Sequence, residues 1–408
     1  MKRDSIDHAI MRDMNLALIL SNLRQHAPLS RSQLAARTGL NKATVSSIVK
    51  ELLASELVYE LGSVNDASEV GRPATNLDLN PDAGYIIGVE IGVDFISIIT
   101  TNFSIGVVSR RYESTLKLYD QQAILDRLLY LLKESVEQVE RRGRPLFGIG
   151  LGVPGLVDVS SGTLLFAPNL GWSNVPLHQL VAHEFDVPIH VANEANMAAL
   201  GESYFGAGQH CSYMLYVSSG IGLGGGIVID GQLVEGATGF AGEAGHMTVQ
   251  HDGLLCNCGN RGCWETLAGQ RALFRRVQEP IEAGEASWIG QVTGGDPEKL
   301  SIALIVEAAK KGDAVACRAL KETGEWLGLG IASLMNIINP QLVVFGGPLS
   351  LAHEFLLPQI KETVSQRAWD WVYSRADIVI AAHGEDAAVI GAVAMVYREV
   401  LNKPRMWL

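Results

Sequence analysis

No stretch of this chain offers the roughly 18 uninterrupted apolar residues that a membrane helix needs. Its most apolar segment, Gly328 to Gly347, is broken by Asn336, Asn339, Pro340 and Gln341, and reads as a core helix followed by a core strand. The first residues lack an apolar stretch ahead of a small-residue cleavage site and carry Lys2, Arg3, Asp4 and Asp7 instead, so the expectation is a cytoplasmic protein with no membrane partner. Cysteine is scarce: three of the five fall within eight residues (Cys256, Cys258, Cys263), while Cys211 and Cys317 stand alone. That distribution does not make a disulfide framework. In a reducing compartment the cluster points to a metal, and the two isolated residues read as ordinary buried cysteines. Positive charge is also lacking, with a net charge of -12, which argues against nucleic acid until the chain is divided. Residues 1–50 hold eight Lys/Arg against three Asp/Glu, a balance of +5 that leaves -17 for the rest. A small basic module on an acidic body fits this split.

The length of 408 residues suits two or three domains, each with its own core. At the front, Leu16, Leu20 and Leu23 recur at helical spacing, and Pro28 closes that helix. Ser30-Arg31-Ser32-Gln33 has the S-x-x-Q pattern of a capping box, opening a short helix that stops at Gly39. Asn41 caps a third helix, whose Val45, Ile48, Val49, Leu52 and Leu53 form one apolar stripe. Its other face presents Lys42, Thr44, Ser46, Ser47 and Lys50, small, polar or basic residues that let a helix approach base edges and phosphates. With Ser32, Asn41 and Ala43 they make the candidate DNA face of a helix-turn-helix. Val58 to Leu61 and Thr75 to Leu79 read as strands flanking a polar wing that ends in Gly71-Arg72-Pro73, where Arg72 would enter a minor groove. A three-helix protein-interaction module is the alternative reading of the same pattern.

From Tyr85 onward strands alternate with helices, which implies an α/β sheet with ligands at the strand ends. Tyr85 to Asp94 runs into Phe95 to Thr101, a helix is expected from Gln121 to Val139, and a buried strand ends in Gly152-Val153-Pro154-Gly155. A second half repeats the design: Tyr213 to Val217 as a strand, Ser218 to Gly226 as a glycine-rich turn, and Ile227 to Ile229 as the returning strand. Such a turn suits either a phosphate or a tight hairpin between packed strands. Then Glu243-Ala244-Gly245-His246 is followed by Cys256-Asn257-Cys258-Gly259-Asn260-Arg261-Gly262-Cys263. One imidazole and three thiolates make a closed tetrahedral site for one structural zinc, with no position open for a catalytic water.

These pieces together resemble the ROK family, which groups repressors and sugar kinases on the duplicated, ribonuclease H-like α/β fold of the actin-like ATPases. His246, Cys256, Cys258 and Cys263 match its signature loop, and the winged helix in front resembles its repressor branch. Asn41-Lys42-Ala43-Thr44-Val45-Ser46 and Gly71-Arg72-Pro73 look most like xylose repressors. The resemblance implies a winged helix-turn-helix domain at 1–80, a first lobe at 81–198 completed by a C-terminal helix at 385–408, and a second lobe with the zinc loop at 199–384. It also implies a sugar in the interlobe cleft, held by Asn169, Asn193, Glu194, Glu243, His246 and Glu265. Adjacent hydroxyls suit carboxylates and amides. By itself Asn169 would be a turn residue and Glu265 a helix cap.

Departures from the kinase pattern matter equally. Where kinases of the family carry Asp-x-Gly-x-Thr, this chain reads Glu90-Ile91-Gly92-Val93-Asp94, which sets a carboxylate where phosphate would rest. Glu194 stands at the general-base position as a vestige, and Pro348 follows Gly346-Gly347 where a third Gly is usual. The expectation is therefore a repressor that is not an enzyme, with ATP not a cofactor. It would bind operator DNA as a homodimer or tetramer and respond to a monosaccharide effector, xylose or glucose. The rivals are an active hexose kinase with an appended DNA module and a repressor captured by a sugar-transport protein.

Overall fold

The computed structural model describes residues 2–61, 75–118 and 120–407, with side chains from Ile10 onward. Helix α1 (Lys2–His26) precedes a short strand β1 (Leu29–Ser30) and two helices, α2 (Arg31–Thr38) and α3 (Lys42–Ala54). The start of α2 is fixed by a reciprocal pair: Gln33 N donates to Ser30 Oγ at 3.3 Å, and Ser30 N donates to Gln33 Oε1 at 2.8 Å. Asn41 Oδ1 accepts from Thr44 N at 2.8 Å to begin α3. Val45, Ile48, Val49 and Leu52 are fully buried, whereas Leu53, the last member of the expected stripe, is half-buried. Strands β2 (Val58–Leu61) and β3 (Asn76–Leu79) pair antiparallel, with β1 on the other edge of β3. The polar loop between them, with Gly71, Arg72 and Pro73, lies outside the described residues.

The body is built twice on one plan. In the first lobe β4 (Tyr85–Ile91), β5 (Phe95–Asn102) and β6 (Val107–Ser114) form an antiparallel meander. After helix α4 (Gln121–Glu140), β7 (Leu146–Val153) returns parallel to β4. A small antiparallel sheet of β8 (Leu156–Asp158), β9 (Thr163–Ala167) and β10 (Trp172–Val175) follows, then α5 (Leu177–Glu184). Strand β11 (Ile189–Asn193) adds parallel to β7 and runs directly into α6 (Glu194–Phe205). The second lobe repeats the meander with β12 (Tyr213–Ser219), β13 (Leu223–Ile229) and β14 (Gln232–Leu233).

Helices α7 (Glu265–Ala268), α8 (Gln270–Glu282), α9 (Trp288–Thr293), α10 (Ile302–Lys310) and α11 (Ala314–Ile338) lead to β15 (Leu342–Gly346). Helices α12 (His353–Arg367) and α13 (Asp370–Tyr373) lead to β16 (Asp377–Ile380), and α14 (Ala387–Asn402) follows. Both β15 and β16 join in parallel, giving the order β14-β13-β12-β15-β16 against β6-β5-β4-β7-β11 in the first lobe. The helix after each sheet crosses to the other lobe: α6 packs on β12 and β13, α14 on β4, β5 and β7, and the two pack on each other. Helix α6 runs unbroken through residues 198 and 199, the expected boundary between the lobes.

The segment Ser218 to Gly226 is not a turn: Ser218 and Ser219 belong to β12, β13 begins at Leu223, and only Gly220–Gly222 turn between them. Gly224 and Gly226 sit in the strand because α6 lies against it. A Cβ on Gly226 would fall 2.4 Å from Ala199 Cβ, and one on Gly224 would fall 2.7 Å from Ala195 Cβ. The glycines serve packing between sheet and helix, the hairpin alternative left open by the sequence. Cys211 and Cys317 are half-buried rather than buried.

Candidate functional site

On the winged helix, Ser32, Asn41, Lys42, Ala43, Ser46, Ser47 and Lys50 are exposed and Thr44 is half-buried, so the candidate DNA face is free of the core. Arg12 reaches it from α1, paired with Glu51 and with its Nη2 3.4 Å from Ser47 Oγ. Of the nine positions expected on this face, Arg72 alone is outside the described residues.

The loop before α7 brings His246, Cys256, Cys258 and Cys263 together, their ligand atoms all within 4.8 Å of one another. Cys256 Sγ lies 3.7 Å from His246 Nδ1, and Cys258 Sγ lies 3.7 Å from Cys263 Sγ. A zinc tetrahedron with bonds of about 2.3 Å has edges of about 3.8 Å, so these two opposite edges already stand at tetrahedral spacing. Burial pushes the Cys256 and Cys263 thiols up, a cost that a bound cation would reverse. The loop is held by backbone as well. Cys256 N donates to Asn260 O at 2.8 Å, and Gly262 takes φ +69 where a Cβ would strike Gln250 O at 1.7 Å. Trp264, fully buried, anchors the loop to α11 through a 2.7 Å bond to Trp326 O.

Beside this loop a cleft of about 600 Å³ opens between the lobes, and Asn169, Asn193, Glu194, Glu243, His246 and Glu265 all line it. Glu194 starts α6 and is half-buried; desolvation, with the carboxylates of Glu243 and Glu90 adding to it, raises its pKa to about 8. A neutral Glu194 both donates and accepts. Burial likewise raises Glu243, opposed by His246, whose Nε2 is 3.9 Å from Glu243 Oε2. Nδ1 of the same ring faces the thiols, so His246 joins the metal cluster to the cleft. Glu265 accepts Leu223 N at 3.1 Å through Oε2 and Cys256 Sγ at 3.5 Å through Oε1, tying the β12–β13 turn to the metal loop.

Asn193 has a different employment from the one its pattern suggests. Its Oδ1 accepts from Ala195 N and Asn196 N, and its Nδ2 donates to Gly155 O at 3.1 Å and to Glu194 Oε2 at 2.9 Å. With all four hydrogen-bonding positions filled, it caps α6 and holds Glu194.

The other end of the cleft is crowded and acidic. The Phe95 ring covers Gly92, within 2.5 Å of where a Cβ would stand, and stacks on Tyr112 at 5.2 Å between centroids. Glu90, Asp94, Glu385 and Asp386 line this end, Asp386 paired with Arg110 at 2.5 Å. Glu90 Oε2 is buried with no partner among the described residues. Burial, with Asp386 and Glu385 nearby, raises Glu90 to about 8. Pro348 lies against Gly220, its ring 2.9 Å from a Cβ position there. Sequence reasoning found Glu90, Asp94 and Pro348 but missed Phe95, Arg110 and Asp386. Their roles depend on a meander edge and on a helix some 276 positions away in the chain.

The ROK family profile matches residues 86–399, and the MarR family profile matches residues 17–67. A xylose repressor of Caldicellulosiruptor bescii is 37% identical over 398 residues, covering 98% of this chain and 99% of that one. A solved ROK family transcriptional regulator, described as a homologue of the E. coli MLC protein, superposes with a TM-score of 0.84 at 28% identity, over 98% of this chain and 99% of that one. A ROK family glucokinase from Streptomyces griseus, solved with glucose and AMPPNP, matches with a TM-score of 0.69 at 33% identity, over 76% of this chain and 99% of that one. No helix among the described residues is long and apolar enough to cross a membrane. The chain belongs to the ROK family, with a MarR-type winged helix joined to an actin-like body of the kind found in its sugar kinases.

Proposed function

We propose that this protein is a transcriptional repressor that binds operator DNA as a dimer and changes its DNA affinity when an aldose, xylose or glucose, enters the interlobe cleft. The observation that carries the reading is the joining, in one chain, of an exposed polar helix face to a cleft lined by carboxylates and amides. That cleft is bordered by a four-donor cluster suited to one structural zinc. The relatives named xylose repressor support xylose first. Lys42, Thr44, Ser46, Ser47 and Lys50, with Ser32, Asn41, Ala43 and Arg72, would meet DNA. Glu194, Glu243, Glu265, His246 and Asn169 would meet the sugar, and Asn193 would hold Glu194 in place.

The crowded end of the cleft supports sensing without phosphate transfer. A polyphosphate would have to displace the Phe95 ring and approach Asp94 and Glu385, and like charge makes that approach unfavourable. His246, Cys256, Cys258 and Cys263 would hold zinc as a staple for the loop, orienting His246 toward the sugar. The experiment is a duplex selected from a random pool, titrated with the protein at fixed salt with and without D-xylose or D-glucose, beside an ATP-turnover assay. DNA affinity that shifts with one sugar and no turnover is the expected result. Turnover near 1 per second would restore a kinase.

A further inference from the structure

One residue of the metal loop reaches across the cleft. Asn257, between Cys256 and Cys258, donates through Nδ2 to Oδ1 of Asn169 at 3.0 Å. The partners belong to different lobes, since Asn169 lies on the tight turn between β9 and β10, held by Leu170 N and Gly171 N donating to Ala167 O. Asn257 is exposed and adds nothing to a core. With Oδ1 of Asn169 engaged, its Nδ2 is turned inward: it and Glu265 Oε2 lie 3.2 and 3.1 Å from the Cβ position of Gly222, at the β12–β13 turn. The cleft there offers a donor beside a carboxylate acceptor, a pair matched to a hydroxyl that accepts one hydrogen bond and donates another.

We infer that Asn257 is a positioning residue for the ligand cleft: it fixes which way the Asn169 amide faces and holds the two lobes together at the cleft mouth. This rests on the reading that the cleft takes a sugar. Because both neighbours of Asn257 in the chain are thiolate ligands of the candidate metal cluster, the geometry of that cluster sets the reach of Asn257. Metal loading and ligand affinity are thereby linked through one exposed amide. The hydrogen bond exists only when the lobes are close enough for 3.0 Å, so a ligand that orders Asn169 and a loop that presents Asn257 favour the same arrangement.

The test is a double-mutant cycle on the full-length protein with Asn257→Ala, Asn169→Ala and both together. D-xylose and D-glucose affinities are measured by calorimetry, zinc content by metal analysis, and backbone exchange over residues 165–172 by hydrogen–deuterium exchange. Asn257→Ala is expected to keep its metal content and melting temperature, to weaken sugar binding by about threefold to tenfold, and to speed exchange in that segment. The double variant is expected to bind no worse than Asn169→Ala alone. Unchanged affinity and exchange in Asn257→Ala overturns the inference, as does strict additivity of the two substitutions. Loss of metal in Asn257→Ala overturns it too, since the residue would then serve the loop and not the cleft. If the wild type binds neither sugar, the sugar reading fails, and the exchange result decides the Asn257–Asn169 contact by itself.

Discussion

At the scale of single residues the cleft holds three carboxyl groups, those of Glu90, Glu194 and Glu243, whose ionisation burial opposes. Glu90 is the cleanest case: a carboxyl without a partner among the described residues, raised to about 8 by burial and by Asp386 and Glu385. In the unfolded chain the same group ionises near 4.5. The folded state therefore binds more protons, and the Glu90 contribution to stability is whole below about 4.5, falls as pH rises, and is lost by about 8. Thermal melts from pH 5 to 9 should show the wild type losing more stability across that window than Glu90→Gln, which stays neutral throughout. Parallel curves for the two proteins would remove the buried-acid account. The sequence marked Glu90 as a carboxylate out of place in a kinase motif. Its unpaired burial was not legible, because Glu385 and Asp386, which lie near it, come from the turn just before α14, at the far end of the chain.

Among elements, the helix boundaries were readable, whereas the glycine-rich segment allowed two readings. Ser30, Gln33 and Asn41 mark helix starts because caps are local, made by residues three positions apart. The metal loop was readable for the same reason, its three thiols falling within eight residues. The run Gly224-Gly225-Gly226 suited either a phosphate turn or a tight hairpin, and what decides is a helix laid against the strand, a tertiary contact that local sequence does not announce. Gly226→Ala should therefore destabilise the protein by about 1 to 3 kcal/mol, since its Cβ must displace Ala199 and with it α6. Denaturant unfolding measures this. A variant as stable as wild type would mean that the strand has room, and that its glycines answer to something other than packing.

On the scale of the whole molecule the winged helix is docked rather than tethered. Leu16, Ile19, Leu20 and Leu23 of α1 share one apolar cluster with Phe147, Val393, Val396 and Tyr397 of the body. Arg405 pairs with Asp13 of α1 at 2.7 Å. The element that joins the two functions is α6: its first residue, Glu194, lines the cleft, and Tyr204 near its other end lies under Arg24 of α1, 4.5 Å from guanidinium to ring centroid. Arg24 Nη1 also reaches Tyr204 O at 3.4 Å. A ligand that moves Glu194 moves a helix that touches the DNA module directly, a two-ended lever the sequence concealed because its ends lie some 180 residues from α1 in the chain. Arg24→Ala removes the cation–π and hydrogen-bonded end of that lever and leaves the cleft and the α3 face untouched. Sugar affinity without DNA, and DNA affinity without sugar, should stay close to wild type, while the factor by which sugar changes DNA affinity shrinks by about twofold to thirtyfold. Anisotropy titrations of one duplex, with and without saturating sugar, give that factor for both proteins. An equal factor would mean that coupling runs through the shared apolar cluster and bypasses Arg24, since α14 is the other element that spans from the cleft to α1.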